Sequence, residues 1–185
     1  VVGSDDPDAA ALVAGLYDTL DAPVVETDPS AAEMIKYASN AYLVTRLSFI
    51  NSIAAICEGL EADVDAVVEG LGLDHRIGPT YLRPGPGWGG SCFPKDTRSL
   101  VDSARRGGYD FRFLEAAIAV NEEQFDRVVA KVAASTGGSV KGRTVAVWGL
   151  TFKAKTDDHR DSPAVAVVER LLAAGAHVVA HDPTV

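Results

Sequence analysis

Apolar residues recur at helical spacing over most of the chain, and this pattern predicts a mainly α-helical core. The predicted helices cover about residues 9–20, 28–59, 63–71, 96–106 and 113–135. The longest of them, 28–59, contains no proline or glycine between Ser30 and Glu58. Its apolar positions (34, 35, 42, 43, 47, 50, 53 and 56) wrap much of the helix circumference, which predicts burial on several sides.

The two ends of the chain carry a different pattern. Short apolar runs at 1–3 and 22–27 flank the first helix, and similar runs at 144–149 and 177–180 flank a helix predicted for 162–175. Each end therefore reads as a β-α-β unit, too small to bury a parallel sheet by itself. With a linker at 136–139, the predicted domains are 1–28, 29–136 and 137–185. The chain begins without methionine, and we expect it to be a fragment of a longer polypeptide.

Composition narrows the range of partners. The net charge is −9, and this acidity argues against non-specific binding to nucleic acid. We find no apolar run that approaches membrane-spanning length and no signal peptide, so no membrane partner is expected. The two cysteines, Cys57 and Cys92, do not form a disulfide framework. A reducing, cytoplasmic setting is the expectation.

A glycine-rich segment ends in Cys92 and contains the most distinctive candidate chemistry. Four glycines lie within 85–90, and Pro94 is suited to the first turn of a following helix. Cys92 should then lie at a helix N-terminus, where unpaired amides and the helix dipole favour a thiolate. A reactive nucleophile is the favoured interpretation over an inert core thiol. Asp96, one turn later, is either a helix cap or a general base toward water.

Two further groups of residues could contribute. Lys36 and Asn40 are one helical turn apart, so their side chains share one helix face. A lysine that points into an apolar interior costs several kcal/mol unless its ammonium group is paired. The alternative is that both side chains are solvated, with the lysine extended toward water. The loop 151–163 follows a predicted parallel strand, where open α/β sheets bind ligands, and its cations could meet phosphate. Its carboxylates Asp157, Asp158 and Asp161 suggest a metal less than they suggest capping and pairing with Arg160.

Three segments, 32–54, 74–96 and 142–164, resemble the nucleotide-sugar dehydrogenases of the UDP-glucose/GDP-mannose dehydrogenase family. They contain EMIKYASN, GPGWGGSCFPKD and GLTFKAKTDDHRDSPA. The resemblance implies a mainly α central domain built on a long dimerisation helix, like the C-terminal domain of 6-phosphogluconate dehydrogenase. Incomplete Rossmann-like β-α-β units would flank it: 1–28 would end an NAD-binding domain, and 137–185 would begin a UDP-binding domain.

The resemblance also implies an activity. Such enzymes oxidise a sugar C6 alcohol to a carboxylate by two hydride transfers to NAD, through a cysteine thioester. UDP-glucose is the favoured substrate, and the alternative substrates are GDP-mannose and a UDP-N-acetylhexosamine. The alternative function is that of a non-catalytic helical dimerisation module. Family members begin with a Rossmann domain that carries a GxGxxG motif after its first strand and glutamate-bearing loops; of that domain only the last strand-helix-strand, 1–27, is present here. We therefore expect the fragment alone to be inactive.

The family pattern assigns roles by position. Cys92 would be the nucleophile, Lys36 and Asn40 would stabilise the oxyanion, and Asp96 would position or deprotonate water. The implied substrate-binding residues are Arg76, Tyr81, Arg83, Gly85, Gly87, Trp88, Gly89, Phe152 and Lys153. The implied cofactor-binding residues are Lys95 and Arg160, near NAD. Arg76 would reach the nucleotide sugar of a neighbouring subunit, which implies a homodimer through the long central helix. Trp88 stands where the family more often has phenylalanine.

Overall fold

The computed structural model describes all residues 1–185 and is mainly helical, with 54% of the residues in six helices. In chain order the elements are β1 Val2–Gly3, α1 Pro7–Gly15, β2 Glu26–Thr27, α2 Pro29–Leu60, α3 Val64–Leu73, α4 Phe93–Arg106, α5 Arg112–Ser135, β3 Thr144–Trp148, α6 Pro163–Ala173 and β4 His177–His181. The chain divides into two compact units, Val1–Asn40 and Ala41–Val185.

The first unit contains a small parallel strand pair joined by α1. Val2 pairs with Glu26 and Gly3 with Thr27. The Asp6 carboxylate caps α1 by accepting from the N–H of Asp8, as its place before Pro7 predicts. The predicted helix to residue 20 is too long, because α1 ends at Gly15 and tight turns follow. Glycine weakens the helix there, and Leu16 and Leu20, apolar residues at helical spacing, are exposed, so no packing extends it.

Helix α2 is as long as its uninterrupted pattern predicts. The expectation of burial on several sides is met only in part: the buried residues all lie between Ala41 and Cys57, and several of the predicted apolar positions, among them Met34, Tyr42 and Ile56, are exposed. The buried residues are Ala41, Val44, Ser48, Ile50, Asn51 and Cys57. By length and composition alone α2 could also cross a membrane, which differs from the expectation above. Core helices of soluble proteins meet the same criteria, so this finding carries little weight.

The second unit ends in the other predicted β-α-β arrangement. Strands β3 and β4 are parallel, with Thr144 opposite His177 and Trp148 opposite His181. Helix α6 connects them and begins at Ser162, whose hydroxyl accepts from the N–H of Ala164. Residues of α5, α6 and the strand region form one core cluster: Phe125, Val140, Val167, Leu171 and Ala176.

Arg170 fastens α6 to α5 at the edge of this core. Its Nε donates to Asp126 Oδ1 at 2.8 Å and its Nη2 to Glu122 Oε2 at 2.8 Å. The guanidinium also lies 4.9 Å from the centre of the Phe125 ring. Charge pairing and cation–π contact act on one side chain here, so the β3-α6-β4 unit has a defined position on α5. That position matters because α5 also contacts the glycine-rich segment.

Candidate functional site

Cys92 is the N-cap residue of α4, as predicted from the glycine run and Pro94. Its side chain is exposed, whereas the other free cysteine, Cys57, is buried. The nearest polar side-chain neighbour is the Ser91 hydroxyl, 3.8 Å from Cys92 Sγ. Cys92 is therefore not a core thiol. Its sulfur is open to solvent at a helix N-terminus, where a developing negative charge is stabilised.

Asp96 lies in the first turn of α4 and is almost fully buried, with 3% of its surface exposed. Its Oδ1 accepts from Lys95 Nζ at 2.6 Å, and its backbone N–H donates to the Cys92 carbonyl. Lys95 itself remains largely exposed. The pair supplies the countercharge that a buried carboxylate needs, one helical turn from the sulfur.

The segment 85–92, called here the glycine loop, is held by side chains from α2 and α5. Asn51 Oδ1 accepts from the N–H of Gly85 at 2.8 Å, and Gln124 Nε2 donates to the Gly85 carbonyl at 2.8 Å. The Trp88 indole donates to Ser48 Oγ at 2.9 Å, and that hydroxyl donates to the carbonyl of Ala117. Hydrogen bonds thus hold the loop against α2 and α5.

Asn121 makes the closest connection between α5 and the loop. Its Oδ1 accepts from the N–H of Trp88 at 2.8 Å, and its Nδ2 donates to the Trp88 carbonyl at 2.9 Å. The sequence contains Ser48, Asn51, Asn121 and Gln124 as ordinary polar positions of helices, and we assigned none of them to the loop. A polar residue in an otherwise apolar helix face was the available signal.

The other side of the glycine loop contacts the segment that follows β3. The Gly90 N–H donates to the Asp161 carbonyl at 3.1 Å, and the Phe152 ring lies against Gly90. A Cβ on Gly89 would lie 1.9 Å from the same carbonyl oxygen. Only glycine permits this approach. The contact with 152–161 therefore requires glycine at this position of the loop.

The segment 149–162 that follows β3, called here the strand-end segment, is itself held by carboxylates. Asp182 accepts from the N–H groups of Leu150 and Thr151, at 2.7 and 3.2 Å, and from Thr184. These bonds lower the pKa of the Asp182 carboxyl well below its usual range, so it stays ionised near neutral pH. The segment that carries Phe152 and Lys153 is thereby tied to the end of β4.

Asp158 and Arg160 form the ion pair expected in the pairing interpretation. Arg160 Nε donates to Asp158 Oδ1 at 2.9 Å and Arg160 Nη2 to Asp158 Oδ2 at 2.8 Å. Arg160 lowers the pKa of the Asp158 carboxyl strongly, and a hydrogen bond from Ser91 contributes to the same shift. The bonds to Asp158 raise the pKa of the Arg160 guanidinium, and a smaller electrostatic contribution from Cys92 acts in the same direction. The Asp158–Arg160 pair therefore lies within electrostatic range of the exposed thiol.

The remaining predicted residues are more dispersed. Arg76 is exposed and forms a bidentate pair with Asp74, and Lys153 Nζ lies 5.2 Å from the centre of the Phe152 ring. Tyr81 has a positive φ of 58°, and its neighbour Arg83 is exposed.

Arg46 contributes a contact that the sequence did not reveal. It donates to the carbonyls of Ile77 and Gly78 and so holds the segment that follows Arg76.

Lys36 and Asn40 belong to the first unit, Val1–Asn40. Lys36 is exposed and Asn40 is half-buried. The cost of desolvation argued for an inward lysine is therefore reduced for Lys36. The second unit brings together Cys92, Lys95, Asp96, the glycine loop, Phe152 and Arg160.

Comparison with known proteins identifies the family. The model of the UDP-glucose/GDP-mannose dehydrogenase central domain matches residues 30–123, and the model of that family's UDP-binding domain matches 146–185. The chain belongs to the UDP-glucose/GDP-mannose dehydrogenase family. Because this is a family of dehydrogenases, a nicotinamide cofactor is implied for it.

Relatives within the UDP-glucose/GDP-mannose dehydrogenase family align over nearly the whole chain. The chain is 50% identical to UDP-glucose 6-dehydrogenase TuaD of Bacillus subtilis over 99% of its own length and 40% of that protein's. It is 46% identical to UDP-glucose 6-dehydrogenase of Rhizobium meliloti, over 99% of its own length and 43% of that protein's. The chain thus spans less than half the length of these relatives.

Solved structures of the family show the same architecture. A UDP-glucose dehydrogenase from Pyrobaculum islandicum, 40% identical, superposes with a TM-score of 0.91 over 98% of this chain and 42% of its own. A UDP-D-ManNAc dehydrogenase from Pyrococcus horikoshii, 27% identical, gives a TM-score of 0.85 over 98% of this chain and 43% of its own.

Proposed function

We propose that the protein containing this chain is an NAD-dependent nucleotide-sugar 6-dehydrogenase that converts UDP-glucose to UDP-glucuronate. The observation that carries the proposal is the exposed thiol of Cys92 at the N-terminus of α4, at the end of a glycine loop held on both sides. The relatives named UDP-glucose 6-dehydrogenase support the substrate. GDP-mannose or a UDP-N-acetylhexosamine is the alternative, and the Pyrococcus horikoshii neighbour favours the latter of the two.

Cys92 supplies the covalent step. In the first oxidation the C6 alcohol loses a proton and a hydride to become an aldehyde. The Cys92 sulfur then adds to the aldehyde carbon and forms a thiohemiacetal, which loses its hydroxyl proton and a second hydride to become a thioester. Water cleaves the thioester, releasing the carboxylate and the thiol. Each hydride would be accepted by a separate NAD molecule, so two NAD would be consumed per carboxylate.

Asp96 and the family's lysine–asparagine pair complete the proposed chemistry. Asp96 orients or deprotonates the water that attacks the thioester, and its buried position beside Lys95 Nζ supports that role. We assign Lys36 and Asn40 to the oxyanion from the motif that they share with the family. Donors aimed at a developing oxyanion lower the barrier because they need no reorganisation during the reaction.

Lys95 and Arg160 fit a role beside the cofactor. Both side chains are largely exposed cations, at 68% and 71%. A pyrophosphate carries the complementary charge.

We propose that 1–28 belongs to a Rossmann-like NAD domain, 29–136 to the central domain and 137–185 to a Rossmann-like UDP domain. The matched ranges 30–123 and 146–185 fall within the last two.

The glycine loop and the strand-end segment supply the proposed substrate surface. Gly85, Gly87, Trp88 and Gly89 lie on one side of it; Phe152 approaches Gly90 from the other, and Lys153 Nζ lies 5.2 Å from the centre of the Phe152 ring. Arg76, Tyr81 and Arg83 precede the loop, and Arg76 is the group proposed to serve a neighbouring subunit.

We also propose a cytoplasmic location, which the two free cysteines support.

The test of the proposal is a panel of nucleotide sugars assayed with the full-length protein and NAD. We expect UDP-glucose to be oxidised with two molecules of NADH formed per UDP-glucuronate, and a higher kcat/KM than for GDP-mannose or UDP-N-acetylmannosamine. Oxidation of none of these sugars would refute the dehydrogenase proposal. The 185 residues alone are expected to give no turnover, since they span about 40% of the relatives' length.

A homodimer through α2 is the proposed assembly. Tyr42, Phe49 and Ile56 are seven residues apart and are 60%, 51% and 54% exposed. This spacing places them in one apolar stripe along the helix, as in helix–helix interfaces. Water-exposed aromatic and aliphatic groups in such a stripe favour association with a second copy.

We predict that Phe49→Glu converts the full-length dimer to a monomer, because it places a charge in the stripe. Size-exclusion chromatography with light scattering measures the outcome. Phe113→Glu is the matched control: Phe113 is also exposed, at 65%, but lies on α5, and this variant should remain dimeric. A dimeric Phe49→Glu protein would contradict the assignment of the interface to α2.

A further inference from the structure

Asn121 binds both backbone polar groups of one loop residue. The amide is 5% exposed, and its oxygen and nitrogen bond the N–H and the carbonyl of Trp88 at 2.8 and 2.9 Å. A neighbouring β-strand would satisfy Trp88 in the same way. Because one planar group makes both bonds, the orientation of the two peptide planes at Trp88 is defined by the side chain of α5.

The same helix also limits the residue before Trp88. Gly87 has a φ of +124°, and a Cβ there would lie 2.5 Å from the Phe125 ring and 3.0 Å from Asn121 Oδ1. Asn121 and Phe125 are one turn apart on α5 and form a continuous surface under the loop. The backbone at 87–88 therefore lies directly on α5.

The next residues of the loop connect Trp88 to Cys92, so the position of Trp88 affects that of Cys92. Gly89 and Gly90 contact the Asp161 carbonyl and Phe152, and Cys92 follows two residues later. A shift at Trp88 would change both the contact with the strand-end segment and the start of α4. A displacement of about 1 Å in a reacting group can cost about 10²-fold in rate.

We propose that Asn121 is a positioning residue for the dehydrogenase reaction: it orients the Trp88–Gly90 backbone and so places Cys92 against the sugar. The inference rests on the proposed function. Asn121 does not contact Cys92, so its effect passes through the loop. The side chain must be neutral and offer one donor and one acceptor to satisfy both Trp88 groups, as an amide does at every pH and a carboxyl does only when it is protonated.

Asn121→Asp in the full-length enzyme tests this role through pH. An ionised carboxylate accepts from the Trp88 N–H but opposes the Trp88 carbonyl, whereas a protonated carboxyl reproduces both bonds. Burial favours the protonated form, so the new carboxyl should titrate above the usual range of an aspartate. We expect a kcat about 10²-fold below wild type near pH 8. The deficit should shrink as the pH falls toward about 6, with KM for NAD unchanged.

Asn121→Ala is the matched control, since alanine cannot titrate. It should have a low kcat whose ratio to the wild-type value is the same at every pH. Melting temperatures at each pH give the folded fraction. A wild-type kcat per folded Asn121→Asp molecule at pH 8, or a kcat ratio independent of pH, would overturn the positioning role.

An inactive wild-type enzyme and an Asn121→Asp variant that does not fold are interpreted separately. If the wild-type enzyme oxidises no nucleotide sugar, the proposed function fails, and the Asn121 inference fails with it. If Asn121→Asp does not fold at pH 8, Gly87→Ala replaces it, because the added methyl moves the loop away from Asn121. That variant should show the same loss of kcat with an unchanged KM for NAD; a wild-type kcat would overturn the inference.

Discussion

Replacing Cys92 by serine in the full-length enzyme is expected to stop carboxylate formation while sparing part of the first oxidation. A serine hydroxyl at the same helix N-terminus is a much weaker nucleophile than the exposed sulfur, and the thiohemiacetal that loses the second hydride does not form. We expect the rate of UDP-glucuronate production to fall by ~10³-fold or more. Mass spectrometry of the products, with NADH counted in parallel, measures both oxidations.

Cys57→Ser is the control for this experiment. Cys57 is 6% exposed on α2, so its substitution should cost stability but leave the ratio of NADH to UDP-glucuronate unchanged. UDP-glucuronate formed at the wild-type rate by the Cys92→Ser enzyme would end the thioester proposal. A dehydrogenase activity without a covalent intermediate would then have to be considered.

Gly89→Ala is expected to damage both stability and activity. The methyl group would lie 1.9 Å from the Asp161 carbonyl oxygen and 2.9 Å from Pro163 Cδ, and neither neighbour is the end of a flexible side chain. Overpacking of this kind costs about 1–3 kcal/mol in the free energy of unfolding. The loop must also leave the strand-end segment, which we expect to lower kcat by about 10²-fold. Denaturant unfolding and steady-state kinetics on the full-length enzyme measure the two effects.

Gly70→Ala provides the comparison for Gly89→Ala. Gly70 lies in α3, and no atom lies within 4 Å of an added Cβ. Alanine there should preserve kcat and raise the free energy of unfolding by about 0.5–1 kcal/mol, because it favours the helix. A Gly89→Ala enzyme with wild-type stability and kcat would show that the contact with Asp161 has no role in the site.

Local sequence signals predicted the position of Cys92 and much of its surroundings. The glycine run followed by Pro94 indicated a helix start, and α4 begins at Phe93. The pairing of Asp158 with Arg160 was also predictable, because the two residues share one short loop. Both predictions concern groups within a few residues of each other, where backbone geometry leaves few alternatives.

Predictions that depended on burial were less successful. An inward Lys36 was one of two interpretations, and the side chain is exposed; Met34 and Tyr42, two of the apolar positions from which burial of α2 was predicted, are exposed as well. Periodicity tells which residues share a helix face, but not what covers that face. The predicted end of α1 failed for the same reason, since no packing continues the helix beyond Gly15.

The order of helices and strands, the family motifs and the cysteine at a helix start all follow from short-range patterns in the amino-acid sequence. The support of the glycine loop does not, because Trp88 is bonded by Asn121, 33 residues away, and by Ser48, 40 residues away. Such pairs meet only when α2 and α5 pack, and burial then requires each polar group to find a partner. Long-range packing, which no local pattern encodes, is therefore what turns a flexible glycine run into a defined site beside Cys92.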